Sequence, residues 1–344
     1  MGPTVRAGII ANPASGKDIR RLVAYGSIFD NEEKVGIFRR ILLGIDSGRT
    51  DSGGVESGGV DEILIMPDTY GIGERALDGL GRKGLAARVR FLDMDIGRGA
   101  ADSTMAADIM CSEGCGSIVV LGGDGTCRAV AKGCGPVPLV AVSTGTNNVF
   151  PAMVEGTTAG LAAAAVARGL APGCYRAKSI ILYVNGRPAD LALVDIVITT
   201  DAFLGARALW DMSRVKHIVC SMGEPTAIGL SAVAGCLEPV GRREPAGLHL
   251  EVSGHPSGSR VAVRAPICPG VIQEVHIEGY SKIAPGERVS LGRGPCAVAL
   301  DGERDHLAGE GDLLEAELSL EGPLVVDVAK ALAEAQKAGM FRIG

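Results

Sequence analysis

Short apolar runs alternate with longer amphipathic segments through the first half of the chain. The apolar runs are typical of buried strands, and the segments between them have the spacing of helices. Strands that alternate with helices predict a parallel sheet covered on both faces. We expect the strands at 5–11, 62–66, 87–92, 117–120 and 137–142, and the helices at 32–45, 74–82, 100–112 and 157–168.

The pattern changes near Arg176, where short strands follow one another at regular spacing. Such a series, with turn residues between the strands, predicts an antiparallel β-rich, sandwich-like domain with inserted helices. We therefore expect an α/β domain over 1–175 with a mostly parallel, Rossmann-like sheet, and the β-rich domain over 176–325. A helix within 326–344 should return to the first domain. The β-rich domain should hold strands at 178–184, 189–199, 248–253, 260–264, 271–278, 288–291, 296–300 and 313–320, with helical stretches at 206–212 and 226–237.

A glycine-rich turn, GGDGT at 122–126, follows one predicted strand and precedes a helical segment. Glycines let backbone N–H groups approach an anion closely, and the start of a helix adds partial positive charge. Asp124 is the one carboxylate in this turn, where it could hold a metal ion or accept a proton. The alternative is a tight turn that needs glycine for a positive φ, with Asp124 capping the helix.

Two other polar turns follow predicted strands, NPASGK at 12–17 and TGTNN at 144–148. The first is not a Walker A loop, because the upstream glycine is missing and Asp18 stands in place of serine or threonine. The carboxyl ends of parallel strands share one edge of a sheet, and ligands bind there. We therefore expect the three turns to lie together. The segment 46–59, which is rich in glycine and serine, is expected to be a surface loop. Whether it covers the ligand site beside the three turns stays open.

Composition excludes several classes of partner. The net charge is −6 and there is no basic stripe, which argues against nucleic acid and against anionic membrane. No apolar run approaches the about 18 residues of a membrane span, and no signal peptide precedes the first strand. We expect a cytoplasmic protein with nine reduced cysteines and small-molecule nucleotides as partners. The oligomeric state is open, a homo-oligomer included.

The motifs together resemble the NAD kinase and diacylglycerol kinase superfamily. GGDGT looks like its hallmark turn, while NPASGK and TGTNNVF at 144–150 resemble turns of its lipid kinase side. ALVDIVI at 192–198 and TAIGLSA at 226–232 look instead like the two segments with which NAD kinases bind the dinucleotide. The combination is most similar to the acetoin-catabolism (AcoX-type) branch of ATP–NAD kinase-like proteins, which implies a two-domain NAD kinase-like fold.

The resemblance implies a role for each matching residue. Asp124 would be the catalytic base or a metal ligand, and Glu303, in a turn like that of the lipid kinases, a second catalytic carboxylate or simply a solvated charge. Asp195 would bind an acceptor hydroxyl, beside Thr226, Ala227 and Ile228. The nucleotide and phosphate contacts would come from Asn12, Gly16, Lys17, Gly122, Gly123, Gly125, Thr126, Thr144, Gly145, Thr146, Asn147 and Asn148.

The chain departs from the family at the acceptor site. Val194 replaces an asparagine and Ile228 replaces a tyrosine, so two hydrogen-bonding groups are lost. We expect a kinase that uses ATP and Mg²⁺ and phosphorylates the adenosine ribose 2′-hydroxyl of NAD to give NADP. One alternative is a lipid or small-alcohol kinase, and another is a non-catalytic nucleotide-binding regulatory protein of acetoin catabolism. The sequence does not separate ATP from polyphosphate as the donor.

Overall fold

The computed structural model describes residues 3–15, 30–47, 59–81, 84–97, 99–200 and 211–342. Within these ranges the helices are α1 (Asn31–Asp46), α2 (Ile72–Asp78), α3 (Ala100–Ser112), α4 (Asp124–Ala131), α5 (Gly156–Ala167), α6 (Leu230–Leu237) and α7 (Val328–Lys337). The strands are β1 (Arg6–Ala11), β2 (Glu62–Ile65), β3 (Arg88–Phe91), β4 (Ser117–Gly122), β5 (Leu139–Ser143), β6 (Cys174–Arg176), β7 (Ser179–Val184), β8 (Arg187–Ala192), β9 (Asp195–Thr199), β10 (Val215–Cys220), β11 (Gly247–Val252), β12 (Val261–Cys268), β13 (Val271–Ile283), β14 (Arg288–Arg293), β15 (Cys296–Leu300), β16 (Glu303–Ala308), β17 (Leu313–Ser319) and β18 (Leu324–Val326).

The first sheet has seven strands in the order β3-β2-β1-β4-β5-β18-β6. All of its ladders are parallel except that between β18 and β6. The chain moves outward from β1 to β3 and then returns to the other side of β1 for β4. This reversal creates a crevice between the carboxyl ends of β1 and β4, where open α/β sheets bind ligands. The predicted α/β fold with a mostly parallel sheet is confirmed.

Apolar cores cover both faces of this sheet. On one face Ile9 and Val119 pack with α1 and α5, and on the other Ile10 and Val120 pack with α3 and α4. The helices α1 and α5 touch each other through glycines. A Cβ on Gly44 would lie 3.0 Å from the Gly160 Cα and still closer to the Thr157 carbonyl oxygen. The two helix backbones can therefore approach this closely only while both positions lack a side chain.

The second half of the chain forms two antiparallel sheets, as the predicted β-rich domain requires. One has the order β12-β13-β11-β10-β9-β15-β16, and the other the order β14-β17-β7-β8. A core that includes Ile180, Ile198 and Val298 fills the space between them. The helix α6 packs on the opposite face of the seven-stranded sheet, where Val233 meets Ile218.

Hairpins connect neighbouring strands at two turns with the φ angles of a type I′ turn. Asn185 and Gly186 have φ values of 51° and 76°, and Asp301 and Gly302 have values of 51° and 79°. Asparagine, aspartate and glycine are the residues that tolerate positive φ at such positions. The Asp301 turn joins β15 to β16 and brings its side chain back toward the start of β9.

Three of the predicted elements in this half need correction. The single strand expected at 189–199 is two strands, because the chain leaves the four-stranded sheet after Ala192 and joins the other sheet at Asp195. The helix expected from 226 begins at Leu230, after Gly229 with its φ of 107°. Of the stretch expected to be helical at 206–212, residues 206–210 lie outside the described residues, and Met212–Arg214 is a 3-10 turn. The expected loop 46–59 also falls largely on residues that are not described.

The C-terminal segment lies against the first sheet. Strand β18 pairs with both β5 and β6, and Gly173 lies close to the backbone of Ala331 in α7. The domain limits at 175 and 325 stay a prediction. Among the described residues, no helix combines the length and the apolar character that crossing a membrane requires.

The glycine contact between α1 and α5 predicts a stability difference between two substitutions in one helix. Gly44→Ala should destabilise the protein by about 1–3 kcal/mol, because overpacking against backbone outweighs the gain of about 1 kcal/mol in helix propensity. Gly36→Ala is the matched control, since its nearest neighbour is the flexible Arg40 side chain at 3.6 Å. It should leave stability unchanged or raise it. Urea denaturation of both variants measures the difference, and equal midpoints would contradict the close-contact account.

Candidate functional site

The described part of the first polar turn, 12–15, lies together with the other two turns at the carboxyl ends of β1, β4 and β5. The Asn12 backbone N–H donates to the Leu121 carbonyl, and the Thr144 N–H donates to the Gly122 carbonyl. The Asn12 side chain reaches Thr126 Oγ1 at 3.1 Å. These bonds extend the strand ladders into the turns, so the three turns form one surface at the crevice between β1 and β4.

A buried lysine that the sequence analysis did not single out organises the first turn. Lys34, in the first turn of α1, is fully buried, and its Nζ donates to the carbonyl oxygens of Asn12 at 3.0 Å and of Ser15. Burying an ammonium group costs free energy unless acceptors form hydrogen bonds with its N–H groups. Lys34 therefore fixes the backbone of 12–15. Gly16 and Lys17, which the sequence places in the phosphate contacts, lie outside the described residues.

Space, and not a positive φ, explains the glycines of the GGDGT turn. None of Gly122, Gly123 and Gly125 has a positive φ. A Cβ on Gly123 would lie 2.7 Å from Asn148 Oδ1, and one on Gly125 would lie 2.6 Å from Glu303 Oε1. The alternative interpretation, in which the turn needs glycine for a positive φ, is therefore wrong. The glycines let Asn148 and Glu303 lie directly on the start of α4.

Asp124 does not cap its own helix. Gly123 occupies the capping position, and Asp124 is the first residue of α4. Its carboxylate accepts the backbone N–H of Val149 at 3.0 Å and that of Phe150 at 2.7 Å. On the other side of the same two residues, the Arg242 guanidinium donates to the carbonyls of Phe150 at 2.8 Å and of Val149 at 2.5 Å. The loop after β5 is therefore held between the carboxylate of Asp124 in α4 and the guanidinium of Arg242 in the β-rich half.

Asp301 holds a second loop in the same manner. Its buried carboxylate accepts the backbone N–H groups of Leu193, Val194 and Asp195 at distances of 2.8–3.2 Å. These residues span the point where the chain passes from β8 to β9. Backbone donors at a break between strands need acceptors. Asp301 supplies them from its hairpin turn, and thereby sets the position of Asp195.

Arg128 joins the two halves of the site. Its side chain is only 4% exposed, and its guanidinium nitrogens lie 3.3 Å from Glu303, 3.5 Å from Asp190 and 3.9 Å from Asp301. It lies four residues after Asp124, one turn along the same helix. Asp190 is contacted further by Lys132 at 2.5 Å and by His306 at 3.0 Å. Sequence reasoning missed Arg128, because the spacing from Asp124 gives no indication of partners more than fifty residues away.

A cleft of about 700 Å³ lies between the turns and the β-rich half. Its described lining contains six carboxylates and neither lysine nor arginine, whereas residues 16–29 and 98 are not described. The wall also has apolar members, among them Met66, Ile228 and Ile267. The six carboxylates belong to Asp68, Asp102, Asp124, Asp195, Asp301 and Glu303.

The remaining predicted site residues differ in their access to this cleft. Asn12, Gly123, Gly125, Thr126, Asn147 and Asn148 line it, as do Asp195 and Ile228. Gly122, Thr144 and Gly145 are buried behind the surface, while Thr146 is exposed. Thr226 is exposed, and neither it nor Ala227 is part of the described lining. Val194 also belongs to the lining, but it is 1% exposed and its side chain packs in the core.

The two loop-holding carboxylates have raised proton affinity. Burial raises the pKa of Asp124 to about 7, and the nearby charge of Asp301 adds to this rise, while the N–H bonds oppose it. Burial likewise raises the pKa of Asp301 to about 6 against the opposing charge of Arg128. Asp190 differs, because hydrogen bonds from His306 and Lys132 overcome its burial and hold its pKa well below the usual range.

The raised pKa of Asp124 predicts how stability changes with pH. Between pH 3.8 and about 7 the folded chain keeps a proton that the unfolded chain has released. Stability is therefore lost as pH rises through this window, by up to about 1.4 kcal/mol per pH unit for one group. Urea midpoints from pH 4 to 8 should fall more steeply for the native protein than for Asp124→Asn, which does not titrate. Parallel profiles would contradict the assignment to Asp124.

Comparison with known proteins adds family membership to this geometry. Residues 78–170 match the model of the ATP-NAD kinase N-terminal domain, and residues 178–321 match the model of the acetoin catabolism protein X C-terminal domain. Acetoin catabolism protein X of Cupriavidus necator is 38% identical over 347 aligned positions, which cover 97% of this chain and 93% of that protein. Among solved structures, yeast NADH kinase complexed with NADH is similar in fold, with 13% sequence identity and a TM-score of 0.46. The superposition covers 100% of this chain and 90% of the yeast chain.

Proposed function

The chain belongs to the acetoin catabolism protein X family, and we propose that it is an ATP-dependent phosphotransferase that phosphorylates a hydroxyl group of NAD or of a closely related dinucleotide. The proposal rests on one juxtaposition. A glycine-rich helix start and a group of carboxylates line a single cleft. The first is a site for phosphate, and the second is suited to bind and deprotonate a sugar hydroxyl.

The phosphate side is built from the start of α4 and the turns beside it. Backbone N–H groups at a helix N-terminus carry partial positive charge and are not used within the helix. The amide of Asn148, which lies against Gly123, adds a polar contact beside them. The nucleotide triphosphate would lie along this surface. Lys17 remains the predicted cation for it.

Two carboxylates are suited to take the proton of the attacking hydroxyl. Asp124 has a pKa raised to about 7, which is near the working pH at which a general base is most effective. The side chain of Glu303 packs against Gly125 and is 42% exposed. Its Oε2 lies 3.3 Å from Nη2 of Arg128. We assign the base to Asp124 and a positioning role to Arg128, which keeps Glu303 and Asp301 in place beside it.

The donor set of the cleft fits a magnesium ion that arrives with a nucleotide. Carboxylate oxygens are its preferred protein ligands, and Mg²⁺ usually takes only one or two of them beside phosphates and waters. Asp124 already accepts two backbone N–H groups, and that of Val149 is shared between both of its oxygens, so Glu303 is the better-exposed ligand. Bound there, Mg²⁺ would neutralise charge on the transferring phosphoryl group.

The acceptor side is formed by Asp195 together with Ile228 and Ile267. A carboxylate that binds ribose hydroxyls next to apolar side chains is a common arrangement for a nucleoside. The loss of the family's asparagine and tyrosine leaves fewer polar contacts here. We therefore expect weaker discrimination between NAD and its analogues than a full hydrogen-bonding site would give.

A regulatory, non-catalytic role is the second candidate. One observation favours it: the oxygens of Asp124 and Asp301 are all engaged by backbone N–H groups, so both acids have a structural duty that would persist without catalysis. The nucleotide would then bind in the same cleft without turnover. Binding without product formation is the outcome that separates the two candidates.

The assignment of Asp124 predicts a loss of activity that a matched variant does not share. Asp124→Asn should lower kcat by about 100-fold or more, because proton transfer contributes that much. Asp46→Asn is the control, since Asp46 also accepts two backbone N–H bonds, from Ala86 and Ala87, but lies outside the cleft. It should lose stability and keep its turnover. ADP release measures both, and an Asp124→Asn variant with native kcat would remove Asp124 from the mechanism.

The acceptor is tested with a panel of hydroxyl compounds. Purified protein is incubated with ATP or polyphosphate, Mg²⁺ and either NAD, NADH, a short-chain diacylglycerol or small alcohols. We expect ADP release that depends on NAD or NADH and yields the 2′-phosphorylated product. Turnover of the diacylglycerol or an alcohol alone would establish the other kinase class. ATP binding by calorimetry with no product from any acceptor would favour the regulatory role.

A further inference from the structure

Two histidines and a glutamate lie together on the seven-stranded antiparallel sheet. In the ladder between β10 and β11, His217 is directly opposite Glu251, and His249 is opposite Val219. His249 and Glu251 are two residues apart on one strand, so their side chains share a face. His217 lies on that same face. Histidine, cysteine, aspartate and glutamate are the side chains that commonly bind metal ions. In the part of the chain that the structure describes, this is the one group of three or more of them whose ligand atoms all lie within 4.8 Å of one another.

The contact between the two imidazoles shows that lone pairs are available at this place. His217 Nδ1 lies 3.1 Å from His249 Nε2. Two imidazolium ions both present protons and repel each other, so at least one ring is neutral and offers a lone pair. His249 is 8% exposed, while Glu251 is exposed and can adjust its rotamer. The rings are thus held by the sheet, and the carboxylate is free to close on a ligand.

We propose that His217, His249 and Glu251 form a site for a divalent transition metal ion, of which Zn²⁺ is the representative. Ligand nitrogens about 2.0–2.1 Å from a tetrahedral ion stand about 3.3 Å apart, close to the observed 3.1 Å. On binding, the proton shared by the two rings moves to the other nitrogen of its own ring. Two imidazoles select such ions over Mg²⁺ and Ca²⁺, which prefer oxygen ligands.

This site is separate from the cleft, since none of the three residues is part of the described lining. It would cross-link β10 to β11. At its far end β10 leads to Ser221, whose backbone N–H donates to the Val194 carbonyl at 2.9 Å. A metal ion would therefore stabilise the strand that supports the acceptor wall without touching the reacting groups. Three protein ligands leave coordination positions for water.

The test is metal binding to the whole chain after treatment with a chelator. The protein is titrated with Co²⁺, read by its visible absorption, and with Zn²⁺ by calorimetry, in an excess of Mg²⁺ that occupies oxygen-only sites. We expect one Co²⁺ per chain, displaced by Zn²⁺, and a thermal midpoint that rises with Zn²⁺. Glu251→Gln should weaken binding by at least about tenfold, since even the loss of outer contacts to a metal site costs that much.

Two further variants separate a metal site from a packing pair. His217→Ala should abolish the cobalt absorption, whereas His255→Ala, which removes an exposed histidine elsewhere in the β-rich half, should leave it unchanged. Because Glu251 is exposed, Glu251→Gln keeps the fold and remains informative even if His217→Ala is unstable. Binding that survives Glu251→Gln and His217→Ala at full affinity, or no stoichiometric binding by the native protein, would overturn the proposal.

Discussion

The buried guanidinium of Arg128 connects the two halves of the candidate site. It extends from α4 of the first sheet and lies within 4 Å of carboxylates from β8, from the turn after β15 and from β16. A buried cation of this kind is stable only because several acids surround it, and the acids in turn depend on it. Removing it would leave uncompensated charges, at a cost of roughly 3–5 kcal/mol. Arg128 therefore helps to hold Glu303 and Asp301 beside Asp124.

Asp124 and Asp301 do the same structural work on opposite sides of the cleft. Each accepts backbone N–H groups of a loop that leaves a strand, one after β5 and the other between β8 and β9. Burial raises the pKa of each carboxyl, and the charge of Asp301 adds to the rise at Asp124. The carboxyl of Asp124 thus orders a loop and also has a pKa of about 7, which its burial raises against the N–H bonds. The structural role of Asp124 is therefore compatible with its proposed role as a base.

The acidity of the cleft constrains what can bind there. A polyphosphate in this cleft would meet six carboxylates along the described lining, so its charge would have to be offset by helix N-termini and by metal ions. Hydroxyl groups are not repelled in this way, because they donate hydrogen bonds to ionised carboxylates. This asymmetry is consistent with phosphate binding near α4 and with a sugar opposite Asp195.

The sequence by itself determined the fold class and most of the helices and strands of the described chain. Strand and helix periods depend on neighbouring residues, so the parallel sheet and the β-rich half could be predicted. Motif spacing likewise indicated the three turns at one edge. The tertiary structure alone decided which residues act on them: Lys34, Arg128 and Arg242 bind partners that are distant in sequence, and the glycines of GGDGT serve close contacts with Asn148 and Glu303. The break of the strand at Leu193 has the same origin, because an acid more than a hundred residues away accepts its N–H. Long-range pairing of buried polar groups leaves no periodic signal in the chain.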